Sequence, residues 1–313
     1  MNISVDNDSK VKRIAEGAIG IGAGYATYSY AKDYTKKPYS KYLMKQCEKL
    51  PHNESLEFSR GAKTAFIKNN LGKKGIEIVD LRPDNFYRQK DSIIKTLKKR
   101  LNLRTANRIG SKKTNTSKFS KKIEDAMEKI HKKQLENLER GLKEVSEGKN
   151  ACYMPALKNV YVNPDKMGFS TFHELGHAIN HTSSGFKGAL SKSRNFIALA
   201  APVILFTSIV KRKKTDEEKP KNIFDRFTRF IKNNCGKLMF LAMVPTLAEE
   251  GLASINGAKL AKETLKPDML KKMNNLNLKA WGSYAIGALA MSLCGALAVW
   301  VKDRVAQPEL AKK

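Results

Sequence analysis

The sequence predicts a mainly α-helical integral membrane protein with a short β-hairpin or edge strand directly before one central helix. Three observations support this fold class. Trp281 to Val301 is a run of twenty-one uncharged residues, long enough to cross a bilayer. Residues 158–164 contain β-branched side chains and end at Asn-Pro, which is typical of a short strand and its turn. The stretch around residues 173–177 has apolar and small neighbours, which favour a packed helix.

The first apolar stretch, residues 17–31, is uncharged and rich in small residues. Gly20 and Gly24 have the spacing that allows two helices to approach closely. A cleaved signal peptide shares the basic start and the short apolar core, but Tyr25 and its neighbouring tyrosines suit a membrane interface better. We therefore expect residues 1–31 to form an uncleaved membrane anchor.

A basic helical region is predicted for residues 32–149. Its apolar spacing indicates a helix to about Asn70 that breaks at Pro51, then a short strand near residues 76–81. A lysine-rich stretch follows, and a second helical pattern covers residues 119–146 with Gly148 near its stop. This region is expected to provide packing surface for the domain that follows it.

The most specific motif is His173-Glu174-Leu175-Gly176-His177. Four residues advance a helix by about 6 Å and slightly more than one turn, so both imidazoles share one face. They can then bind one Zn²⁺ at about 2.0 to 2.1 Å, and Glu174 can take a proton from a metal-bound water. A chance match on an exposed helix is the alternative. The small residues Gly176 and Ala178 favour a tightly packed helix, and hence a site.

A catalytic zinc needs a third protein ligand. His181 lies eight residues from His173, about 12 Å along an unbroken helix, so we expect it to be structural or near a substrate. Glu249 and Glu250 end an apolar stretch, where acidic side chains are costly. Neighbouring side chains on a helix point about 100° apart, so only one of these acids is expected to reach the metal. The alternative is that both form a solvated helix end.

These motifs together resemble the membrane-bound zinc metallopeptidases of the gluzincin type. That group includes the bacterial heat-shock membrane protease, the CAAX prenyl endopeptidase and neutral zinc metallopeptidases of bacterial membranes. Residues 250–254, Glu-Gly-Leu-Ala-Ser, look like the E-x-x-A-S version of the family pattern. The resemblance implies a zincin-like catalytic domain in which Glu250 is the third zinc ligand. It also implies that Ser254 hydrogen-bonds a ligand histidine, although a neutral partner raises the histidine's basicity less than an aspartate would.

The resemblance extends to the predicted strands before the motif helix. Related peptidases hold the substrate backbone by strand addition at an edge strand. Asn150 and Ala151, an Asn-Ala pair of the kind often found there, are therefore implied to bind substrate. An ordinary hairpin that only packs on the helix is the alternative.

The membrane segments can be predicted without the family. Trp281 and Trp300 lie near the ends of the long uncharged run, and basic residues lie outside it, as in a transmembrane helix with interfacial anchors. The segments Asn195 to Val210 and Leu238 to Ala248 are shorter than the usual twenty residues, and each contains a proline. We expect them to form a tilted or re-entrant hairpin. The alternative is that all these segments are core helices of a soluble protein.

The net charge of +29 indicates a strongly basic surface. Basic clusters beside membrane segments predict attraction to anionic lipid and retention on the cytoplasmic side. By that rule the chain from residue 32 onward, with the zinc site, should be cytoplasmic. The basic residues 211–232 would lie on the opposite side of the membrane if both hairpin segments crossed it, which conflicts with this rule. A re-entrant hairpin removes the conflict. Nucleic acid is the less favoured partner, because no nucleic-acid-binding motif is found.

The sequence thus predicts four parts: an anchor at residues 1–31, a basic helical region at 32–149, a zinc metallopeptidase core at 150–260 with the apolar hairpin 195–248, and residues 261–313 with the transmembrane helix 281–301. The expected function is hydrolysis of peptide bonds in polypeptides, some of them associated with a membrane. The alternative is a non-catalytic basic membrane scaffold or anionic-lipid-binding protein with a degenerate HExxH. The scattered cysteines are expected to be free thiols.

Overall fold

The structure, a computed structural model, describes residues 15, 18–23, 25–26, 29, 37–109, 133, 135–211 and 219–306. It is mainly helical, as the sequence predicts. Among the described residues from 37 onward, the α-helices are α1 (Lys37–Glu48), α2 (His52–Lys68), α3 (Phe86–Ile109), α4 (135–146), α5 (Pro164–Met167), α6 (Ser170–Thr182), α7 (Phe186–Ala198), α8 (Ala200–Val210), α9 (Ile223–Asn233), α10 (Cys235–Lys262) and α11 (Pro267–Ala306). The strands are β1 (Glu77–Asp80), β2 (Cys152–Met154) and β3 (Asn159–Val162).

The chain forms two compact units, each assembled from separated stretches. The sheet unit comprises Gln46–Thr182 and Ala253–Asn277. The apolar-helix unit comprises Met1–Lys45, Ser183–Leu252 and Leu278–Lys313. The four-part division expected from the sequence stays a prediction.

The sheet has the strand order β1-β3-β2. β1 pairs parallel with β3, and β2 pairs antiparallel with β3, so the predicted hairpin before the motif helix is present with β2 as an edge strand. Side chains alternate between the two faces of a strand. Val160 and Val162 therefore join the main core with α2 and α6, whereas Tyr161 joins a second core with α3 and α4. Burial on both faces fixes β3 as the central strand.

The helices of the sheet unit end where the sequence predicts breaks. Pro51 precedes α2 with ψ 142°, an extended backbone that separates α1 from α2. Gly148 has φ +73° and its N–H donates to the carbonyl of Val145 (2.9 Å), which ends α4 as a C-terminal glycine does. Much of the predicted helix at 119–146 lies outside the described residues.

The apolar-helix unit differs from the predicted hairpin in its second segment. The sequence suggested a short segment at Leu238 to Ala248, but the structure places it inside α10, which has 28 residues and contains Pro245. A proline removes one backbone hydrogen bond, and apolar helices tolerate that loss when neighbours compensate. By length and composition, α10 and α11 are each long and apolar enough to cross a membrane. The first segment divides into the end of α7 and α8.

Only parts of the predicted anchor, residues 1–31, are described. Residues 18–23 are helical, and Gly20 is buried. A Cβ at Gly20 would lie 2.9 Å from Cγ2 of Ile209, so glycine permits the close approach to α8 that its spacing suggested. Gly24 lies outside the described residues.

Candidate metal centre

The motif helix α6 is held in the core of the sheet unit by its apolar face. Phe172, Leu175 and Ala178 are fully buried there. Two glycines let α6 and α10 approach backbone to backbone: a Cβ on Gly257 would lie 2.5 Å from the carbonyl oxygen of Phe172, and one on Gly176 would overlap the carbonyl of Ala253. This contact fixes the part of α6 that carries the two histidines.

His173 and His177 direct their Nε2 atoms at the same point. The two Nε2 atoms are 3.0 Å apart, and the ring planes are nearly perpendicular at 86°. Two nitrogens bound to one tetrahedral zinc at about 2.0 to 2.1 Å would be separated by about 3.3 Å. To hold such an ion, the two Nε2 atoms would need to move apart by only a few tenths of an ångström.

The other ring nitrogen of His173 has a partner on α10. Its Nδ1 lies 3.1 Å from Oγ of Ser254. A hydrogen bond at the second nitrogen of a metal-binding histidine fixes the orientation and tautomer of its ring. The structure thus places Ser254 beside His173, and its role toward a metal stays a prediction.

Glu174 is buried, 9% exposed, between the histidines and the sheet. Its Oε2 accepts a hydrogen bond of 2.6 Å from the backbone N–H of Tyr153 on the edge strand β2. One ligand atom from each of His173, Glu174 and His177 lies within 4.8 Å of the others, a grouping that could hold a metal ion. The sequence did not show that the edge strand positions this carboxylate.

Tyr153 also contacts His181. The Tyr153 hydroxyl lies 3.1 Å from Nδ1 of His181, and burial raises the pKa of Tyr153 to about 12. This bond ties the end of α6 to β2, which agrees with a structural role for His181.

Asn150 and Ala151 precede the edge strand. Asn150 is exposed, and its Oδ1 accepts the N–H of Ala151, which is buried. Their role in substrate binding stays a prediction.

In the apolar-helix unit, Glu249 and Glu250 are both buried, at 0% and 4% exposure. The alternative that both form a solvated helix end is therefore wrong. Nη1 of Arg194 on α7 donates to Glu250 Oε1 (2.9 Å) and also to Glu249 Oε2. Buried charges need partners, and Arg194 supplies one positive charge that both carboxylates share.

Sequence reasoning missed Arg194. The residue is fifty-five positions from Glu249, and only its place as the last cation before an apolar segment signalled that it would need a buried partner.

Comparison of the chain with family models, curated proteins and solved structures finds no match. The resemblance to gluzincin peptidases therefore stays a prediction, carried by the residues quoted for it. The chemistry of the site has to be inferred from its side chains.

Proposed function

We propose that the protein is a membrane-anchored zinc-dependent endopeptidase with a zincin-like catalytic domain. The observation that supports it best is the convergence of the His173 and His177 Nε2 atoms, 3.0 Å apart, with the Glu174 carboxylate beside them. Two imidazoles and a neighbouring acid on one buried helix are the groups that metal-assisted hydrolysis uses. Glu174 and His177 are buried and His173 is half-buried, which argues against a chance match on a solvated helix.

The proposed ligands of the zinc are His173, His177 and Glu250. Glu250 lies four residues before Ser254 on the continuous helix α10, so the two share one helix face. Ser254 contacts His173. Two nitrogens and one carboxylate oxygen are a ligand set that zinc accepts, with one position left for water.

A zinc ion bound there would acidify a water molecule and polarise the substrate carbonyl. Glu174 acts as the general base and later returns the proton to the leaving amine. The N–H of Tyr153 holds one oxygen of Glu174, which leaves the second oxygen for proton transfer. The bond thus keeps the base in place without removing its capacity to accept a proton.

The proposed substrate is an extended polypeptide bound at the edge strand β2, with Asn150 and Ala151 at its start. An edge strand can bind another chain by strand addition, here through backbone groups other than the Tyr153 N–H, which already donates to Glu174. The two apolar helices and the net charge of +29 support a site near an anionic membrane surface, which we assign to the cytoplasmic side by the positive-inside rule. Membrane-associated polypeptides are therefore the proposed substrates.

A casein-cleavage assay on the detergent-purified protein tests this proposal. Glu174→Gln keeps the hydrogen bond from Tyr153 but removes the base, so cleavage should fall by about 10² to 10⁴-fold while bound zinc is retained. The matched control is Glu136→Gln on α4, where the acid is exposed, and its activity should not change. Cleavage by the Glu174 variant at the unaltered rate would contradict the proposal. Absence of both zinc and cleavage in the unaltered protein would favour the non-catalytic membrane scaffold.

A further inference from the structure

Helix α9 has an inverted distribution of polarity. Its aromatic and aliphatic side chains face outward: Ile223 is 86% exposed, Phe224 71%, Phe227 58% and Phe230 54%. Its polar side chains Asp225, Thr228 and Lys232 are buried, at 6 or 7% exposure. A surface helix in water has the opposite arrangement, with its apolar stripe toward the core.

The buried charges of α9 are paired inside the apolar-helix unit. Asp225 forms ion pairs with Lys211 and with Arg229, and Lys232 forms one with Asp303 on α11. These pairs give the buried charges of α9 partners of opposite sign within the protein, as charges away from water require.

The end of α11 lies beside the same polar network. Nζ of Lys302 is buried and donates to the carbonyl oxygens of Ser208 (3.3 Å) and Ile209 (3.2 Å) at the end of α8. Trp300 and Arg304 stack at the same end of α11. An aromatic and basic residues at the end of an apolar helix mark the membrane interface. The start of α9, through Asp225 and Lys211, is therefore at the level of this interface.

The other end of α9 is held beside the same end of α11, because Lys232, one residue before α9 ends, pairs with Asp303. The chain lies deeper only in α10. Oγ of Ser292 donates to the carbonyl of Gly236, three residues after α9 ends (2.9 Å). Ser292 precedes Lys302 by ten residues, which is about 15 Å along a helix. If the run 281–301 spans the bilayer, α9 lies at the interface, because its start and its end are both tied to the level of Lys302 and Asp303. Helix α10 then descends into the apolar layer. With eleven residues α9 is about 16 Å long, too short to cross the roughly 30 Å of hydrocarbon.

The junction between α9 and α10 also suits an apolar environment. The backbone N–H of Asn234 donates to the carbonyl of Phe230 (3.1 Å), and the Asn234 side chain donates to the same oxygen (3.0 Å). The N–H of Leu238 donates to Asn234 (2.9 Å), so hydrogen bonding continues through the turn. Backbone groups within hydrocarbon must be paired in this way.

We propose that α9 is an interfacial membrane helix whose aromatic face contacts lipid acyl chains. Lipid is favoured over a second protein chain because α10 and α11 of the same unit also expose apolar residues, Leu241, Val244, Leu289, Leu293 and Leu297. Exposed Lys219, Lys221 and Arg226 near the start of α9 suit anionic headgroups. The inference rests on the membrane part of the proposed function and is independent of the peptidase chemistry.

Photo-cross-linking in vesicles tests the inference. Phe227 is replaced by p-benzoyl-phenylalanine, a photoreactive aromatic residue, in the full chain reconstituted with phosphatidylcholine and phosphatidylglycerol. Leu293 on α11 is the lipid-facing control, and Tyr87 on α3, 70% exposed, is the control in the sheet unit. Phe230 gives a second position on α9 if the Phe227 variant fails to fold. After irradiation, mass spectrometry identifies the adducts.

We expect lipid adducts at positions 227 and 293 and no lipid adduct at position 87. Adducts at 293 but not at 227, or a cross-link from 227 to a second copy of the chain, would overturn the inference and leave the membrane anchor intact. Absence of lipid adducts at both positions, in protein that does not float with the vesicles, would overturn the inference together with the membrane part of the proposed function. Zinc binding and casein cleavage by the same preparations report on the peptidase proposal separately.

Discussion

Substituting Gly176 by alanine tests whether the contact between α6 and α10 supports the metal centre. A Cβ at this position would lie 2.7 Å from the carbonyl carbon and 2.9 Å from Cα of Ala253. Carbon atoms pack at about 3.5 to 4.0 Å, so the two backbones would have to separate by roughly 1 Å. Backbone atoms cannot rotate away as a side chain can, so the helices themselves must shift.

The expected loss of stability is the difference of two effects. Overpacking of a core costs about 1 to 3 kcal/mol, and backbone overlap favours the upper part of that range. Replacing glycine by alanine in a helix gains about 1 kcal/mol. The net destabilisation is therefore about 1 to 2 kcal/mol, which corresponds to a fall in Tm of about 2 to 8 °C for a domain of this size.

The same substitution should weaken metal binding. Ser254 directly follows Ala253, so separating the helices lengthens the 3.1 Å contact between Ser254 and His173. Loss of such a partner typically costs about 10- to 100-fold in metal affinity. Thermal unfolding in detergent measures the first effect, and zinc titration measures the second.

Gly141→Ala on α4 is the matched control. No described atom outside its own helix lies within 4 Å of the added Cβ, so this variant should gain about 0.5 to 1 kcal/mol and bind zinc normally. A Gly176 variant that is as stable as the unaltered protein, or that gains stability as the control does, would refute the predicted contact between the helices.

Two further predictions concern the sheet unit. Burial, reinforced by the charge of Glu174, raises the pKa of Cys152 to about 12, and burial with Glu48 raises that of Cys47 to about 11. Above pH 9 the unfolded chain releases these thiol protons while the folded chain keeps them, so the free energy of unfolding should fall as the pH rises above about 9. Iodoacetamide at pH 8 should label these thiols far more slowly in the folded protein than in the unfolded protein. Equal labelling rates would contradict this. Nδ2 of Asn256 donates to Oδ1 of Asn180 inside the core (2.6 Å), so alanine at either position should cost about 1 to 3 kcal/mol in unfolding free energy. The double variant should lose less than the sum of the single losses, and strict additivity would show that the bond contributes nothing.

Local signals predicted the parts of the fold that depend on neighbouring residues. The break at Pro51, the stop at Gly148 and the hairpin before α6 follow from turn chemistry and alternation within a few positions. The convergence of His173 and His177 follows from helix geometry alone. These features need no knowledge of distant contacts.

The features that sequence reasoning missed depend on contacts far apart in the chain or on the surrounding medium. Pro245 suggested a short segment, yet α10 continues through it. Glu249 is buried with Arg194 as its partner, and no periodicity in the sequence connects these two residues. The helix that carries Phe224, Phe227 and Phe230 was not predicted either, although these residues have helical spacing, because they lie in a strongly basic stretch. Charges that pair inside the protein cannot be distinguished by sequence from charges that face water.

Metal analysis of the detergent-purified protein tests the proposed site most directly. The unaltered chain should hold about one Zn²⁺, which His177→Ala and Glu250→Gln should abolish and Glu249→Gln should retain. Each variant is compared with the unaltered protein for Tm, so that loss of metal can be separated from loss of fold. Absence of zinc from the unaltered, folded protein after reconstitution with the metal would contradict the proposed function.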